Sequence, residues 1–108
     1  MQTVINVVCK KSASLRKAIC NDPKGLNKYD LEVTQSKKKG RSKGWAKIKG
    51  HDMPGALNFE WVASTQTLSA RICTKKNVIP SLMMGAFTAY LTERYKNKIV
   101  STSTTVLK

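Results

Sequence analysis

The sequence predicts an α+β fold in two layers, a mostly antiparallel sheet of four to six strands with one long C-terminal helix packed on one face. Three observations predict it. Segments between residues 29 and 74 alternate apolar and polar side chains with period two. One stretch, residues 80–96, carries a helical period, and short runs of Gly, Pro, Asp and Asn punctuate the chain between segments. At 108 residues the chain is expected to form a single domain, 1–108, around one core. No internal repeat and no domain boundary is visible.

Residues 3–10 (TVINVVCK) are short and β-branched, as a first strand or an N-terminal arm would be. Residues 12–20 (SASLRKAIC) suit one or two helical turns capped by Ser12, broken by the NDPKG that follows. Residues 29–35 set Tyr29, Leu31 and Val33 against Asp30, Glu32 and Thr34. Residues 44–50 set Ala46 and Ile48 against Trp45, Lys47 and Lys49, with Lys43 preceding on the same parity. Residues 56–63 set Leu57, Phe59 and Trp61 against Asn58, Glu60 and Val62. Residues 67–74 set Leu68, Ala70 and Ile72 against Thr67, Ser69, Arg71 and Cys73. Four such segments joined by a Gly/Lys loop, HDMPG and a tight STQ turn describe a meander with one wet face.

The helix is bounded by Pro80 at its first position and by Lys96 and Lys98 at its carboxyl end, with Asn97 as a left-handed cap. Met83, Met84, Ala86, Phe87, Tyr90 and Leu91 fill an arc suited to the apolar side of the sheet. Arg94 lies near the end of that arc and is expected to reach solvent or an acidic strand residue. The opposite face carries Gly85, Thr88, Ala89 and Thr92, small residues that would let a second copy of the chain approach closely and form a homodimer. The final residues, KIVSTSTTVLK, are β-branched and suit a strand at a sheet edge or one paired to another chain.

Charge is the outlier of the composition. Twenty Lys and Arg face six Asp and Glu, a net +14, and sixteen of the twenty are Lys. That balance points to a polyanion partner, nucleic acid first, through phosphate attraction more than base readout. The cations crowd one hairpin: Lys37, Lys38, Lys39, Arg41, Lys43, Lys47 and Lys49, with Gly40, Gly44 and Gly50 among them. The loop lacks an apolar anchor and is expected to be mobile. Trp45 among these lysines is expected to be an exposed stacking platform for unpaired bases, which favours single-stranded DNA or RNA. Asn58 and Arg71 on neighbouring strands are the candidates for base-edge contacts. The order of a four-stranded sheet followed by a helix resembles single-strand-binding folds of the whirly type in element order only, and no sequence motif carries the likeness.

Other classes are less well served. A non-enzymatic adaptor or structural protein binding an acidic protein would use the same charge for solubility and association rate. A small ribonuclease would need His51, beside Asp52, as general base. There are no paired carboxylates, no nucleophile elbow and no phosphate-cradling GxxxxGK, so catalysis is not expected and no catalytic residue is assigned. Cys9, Cys20 and Cys73 are odd in number without CxxC spacing, which suits reduced thiols in the cytoplasm and no metal or other cofactor. No apolar run approaches a membrane span and the N-terminal apolar stretch is too short for a signal peptide, so no membrane association is expected.

Overall fold

The computed structural model describes residues 2–10, 14–75 and 80–107. Their elements are β1 (Gln2–Cys9), α1 (Leu15–Cys20), α2 (Pro23–Asn27), β2 (Leu31–Gln35), β3 (Trp45–Gly50), β4 (Ala56–Val62), β5 (Thr67–Cys73), α3 (Ser81–Tyr95) and β6 (Ile99–Leu107). The strands form one open sheet in the order β2-β3-β4-β5-β1-β6. Every neighbouring pair is antiparallel. Residues 31–73 are the expected meander, each strand pairing antiparallel with the next.

Register sorts the side chains cleanly. Ile48, Leu57 and Ile72 stand in one cross-strand row, and Ala46, Phe59, Ala70 and Ile5 in the next. These rows face the helices and are fully buried. Leu15 and Ile19 of α1, Leu26 of α2, and Met83, Phe87, Tyr90, Leu91 and Tyr95 of α3 join the same apolar cluster. The other face carries Trp45, Glu60, Ser69 and Asn6 in one row and Lys47, Asn58, Arg71 and Val4 in the next.

Three helices accompany the sheet instead of one long helix: the short α1 expected within residues 12–20, an unexpected α2, and α3, which is 15 residues long. The reason is local. Asp22 accepts from the Gly25 N–H and Pro23 takes the first turn, so NDPKG starts α2 instead of merely ending α1. The cap of α1 is Ser14, whose Oγ accepts from Lys17 N–H; Ser12 lies outside the described residues. At the end of α3 the cap is Lys96 in the right-handed conformation, not a left-handed Asn97. The strand expected from residue 29 begins at Leu31, because Asp30 adopts φ 58° and turns the chain after α2. Tyr29 instead donates its hydroxyl to the Glu93 carboxylate on α3.

The small-residue face of α3 is at the surface. Gly85 is exposed and a Cβ built on it meets nothing within 4 Å. Gly85→Ala is therefore expected to stabilise the protein by about 0.5–1 kcal/mol, the helix-propensity difference. A denaturant midpoint that rises at unchanged m-value is the check.

Candidate functional site

β3 projects Trp45, Lys47 and Lys49 from the face opposite the helices, as the alternation requires. The ring of Trp45 nevertheless is not exposed: 2% of the residue reaches solvent. This corrects the expectation of an open stacking platform. Its Nε1–H donates to Asn58 Oδ1 at 3.3 Å. Arg41, from the hairpin loop, lies over the ring with its guanidinium carbon 5.4 Å from the centroid. Asn58 is thereby committed to the indole and half-buried, not a free base-edge contact. A face without a helix is still no guarantee of water contact, because long polar side chains cover an aromatic ring with their own stems.

Both ends of the hairpin loop are anchored. Arg16 of α1 donates from Nε to Trp45 O at 3.1 Å and from a terminal nitrogen to Ser36 O at 2.7 Å, pinning both ends of the loop. Gly44 lets the base of the hairpin close on β4, where Trp61 N–H donates to Gly44 O at 3.0 Å. Any Cβ on Gly44 would collide with the Trp61 carbonyl. Lys38 O and Arg41 N–H close the tip at 3.0 Å, with Gly40 at φ 86°.

Two depressions meet at Arg41. One, of about 320 Å³, has Trp45 as its floor and Arg41, Asn58, Glu60, Ser69 and Arg71 on its walls. The other, of about 420 Å³, lies between α1 and the loop and is lined by Arg16, Ser36, Lys37, Lys38, Arg41 and Lys43. The structure thus brings Arg41, Trp45, Asn58 and Arg71 together and puts Lys37, Lys38 and Lys43 in the adjoining cleft. Lys39 is exposed at the loop tip, Lys49 is exposed and Lys47 half-buried along β3. None of these cations forms an ion pair with a carboxylate among the described residues, where the pairs are Arg94–Asp22 and His51–Glu32. Glu60 is the one acid among the residues lining the first depression.

A second polar cluster is a structural knot. Asp22 accepts from Arg94 Nε at 2.9 Å, Arg94 Nη2 at 3.0 Å, Tyr90 at 2.9 Å, Tyr95 at 3.2 Å and the Gly25 N–H at 3.2 Å. Burial raises the Asp22 pKa, but the Arg94, Tyr90, Gly25 and Tyr95 hydrogen bonds outweigh it and hold the carboxyl below its usual range. Burial, then the Tyr95 and Asp22 contacts, pushes the Tyr90 hydroxyl far up, so it stays a donor. Arg94 is exposed, as expected, and its acidic partner is Asp22 at the start of α2 instead of a strand residue. With every acceptor engaged, the cluster ties α2 to α3 and leaves nothing for a ligand.

His51 is exposed, its Nε2 3.7 Å from Glu32 Oε1, and Asp52 sits in the turn at φ 58°. Burial raises the Cys9 and Cys20 thiols, keeping them protonated at neutral pH. No group of three or more His, Cys, Asp or Glu suited to a metal ion occurs among the described residues. No described helix is long and apolar enough to cross a membrane. Arg16 and Asp22 were invisible to sequence reasoning. Their partners lie 20 to 29 and 68 to 73 residues away, apart from the local Gly25 cap.

Comparison with protein-family models, curated proteins and solved structures finds no match for this chain.

Proposed function

We propose that the protein binds nucleic acid, with single strands favoured, through the hairpin of residues 36–44 and the helix-free face of the sheet. The gathering of Arg16, Lys37, Lys38, Arg41 and Lys43 in one cleft, without a carboxylate on its walls, is the observation that carries this reading. Trp45 acts as a support for Arg41. The guanidinium over the indole is a surface on which an unpaired base can stack, while the loop lysines hold phosphates. Arg71, exposed beside it, is the remaining candidate for a base edge. The three free cysteines suit a reducing compartment, the cytoplasm.

Fluorescence anisotropy with labelled single-stranded DNA and RNA tests the reading. Neutralising five or six phosphates gives log affinity against log salt a slope near −4, since each contact on a single strand contributes about −0.7. The combined Lys37→Ala, Lys38→Ala and Lys39→Ala variant should flatten that slope by about 2. Arg41→Ala should weaken binding to single strands more than to duplex, with the fold intact because Arg41 is exposed. Binding indifferent to salt and to these changes would instead favour an acidic protein as the partner.

A further inference from the structure

We infer that β6 joins two copies of the chain edge to edge, across a two-fold axis passing at Ser103. β6 is the outermost strand on the β1 side of the sheet and, at nine residues, the longest of the six. Its far side offers a row of backbone donors and acceptors to any strand that approaches. Edges are normally blunted by charge, proline or a twist-inducing bulge. Residues Ile99–Leu107 contain no charge, no proline and no glycine. The register shift between Val8 and Cys9 leaves Val100 without a residue opposite it on β1, and the pairing from Ser101 onward is regular.

The occupant is identified by the sequence of the edge itself. From Val100 to Val106 the order is VSTSTTV, which reads almost the same in both directions about Ser103. Antiparallel pairing of this strand with its own copy sets Val100 against Val106, Ser101 against Thr105 and Thr102 against Thr104. Like therefore meets like at every position, which an isologous contact requires and an unrelated partner would not. The two valines are 62% and 52% exposed, unusual for β-branched apolar side chains, and each would cover the other across the seam.

Charge selects the same edge. A chain of net +14 repels its copy, and the hairpin cations lie at the β2–β3 end of the sheet, opposite β6. Lys98, at the start of β6, is turned back over the Tyr95 ring at 5.8 Å. Two chains thus approach by their least charged border, with the hairpins beyond screening distance of one another. An axis normal to the sheet keeps both helix layers on one side, and two sheets of six strands become one of twelve.

Sedimentation equilibrium on the full chain, without nucleic acid, tests this independently of the proposed binding activity. Wild type is expected to be a dimer. Ser103 is exposed, so Ser103→Lys and Ser103→Asp should still unfold cooperatively yet sediment as monomers, because like charges face each other on the axis. Mixing the two variants should restore the dimer. A monomeric wild type across the accessible concentration range overturns the inference. So does a dimer that survives Ser103→Lys and is lost in Gly85→Leu, which would place the interface on α3.

Discussion

Trp45→Ala is expected to destabilise the protein by about 3–5 kcal/mol, the cost of truncating a fully buried aromatic side chain. That is a large part of the 5–15 kcal/mol a domain of this size holds, and it should lower the thermal midpoint by roughly 10 °C or more. Three losses combine. The indole's buried surface and its packing contacts are lost. Asn58 Oδ1 loses its 3.3 Å donor, and Arg41 loses the ring it lies against. Trp45→Phe should recover much of the packing and neither the hydrogen bond nor the full cation–π contact. A thermal melt decides the matter. If Trp45→Ala shifts stability by less than about 0.5 kcal/mol, as an exposed surface change would, the ring is not covered as described. Because the residue is structural, its loss alone says little about ligand binding, and Arg41→Ala is the cleaner functional probe.

The second large effect concerns Asp22. Its side chain is 11% exposed while that of Arg94 is 54% exposed. Asp22→Ala should cost about 3 kcal/mol, the low end for breaking a buried charge network, because Arg94 regains water when freed. Tyr90 and Tyr95 keep each other as partners at 2.9 Å, which limits the damage further. The pH dependence follows from the depressed Asp22 pKa. A carboxyl held below its unfolded value of about 3.9 stabilises the fold above that pH and loses the contribution as pH falls through the folded value. Wild type should therefore lose stability below about pH 4 more steeply than Asp22→Asn, which has no proton to take up. Urea midpoints for both proteins from pH 2 to pH 7 give the comparison. Parallel curves across that range would show that Asp22 does not titrate differently in the folded state.

Much of this molecule is local and therefore legible. Alternation over residues 44–50 placed Trp45, Lys47 and Lys49 on one face and Ala46 and Ile48 on the other, and the register agrees. The apolar arc of α3 is confirmed for Met83, Phe87, Tyr90 and Leu91, with Met84 and Ala86 at its margin. The turn residues of NDPKG were read as a stop when they were a start, since Pro and Asp serve both purposes and only the continuing chain decides. The hairpin cations were legible as a cluster because they are neighbours in sequence. Arg16, which lines the same cleft and pins the loop, was not, because nothing in the spacing of residue 16 foretells a carbonyl at Trp45.

By itself the sequence determined the charge, the strand parity and the apolar arc of α3, all properties carried by a residue and its near neighbours along the chain. Only the tertiary structure decided that Trp45 is sealed under Arg41, that Asp22 gathers donors from α3, and that β6 lies at the border of the sheet. The division has a physical reason. Periodicity states which way a side chain points, whereas exposure depends on what arrives above it from elsewhere in the chain, and that is settled only when distant segments pack.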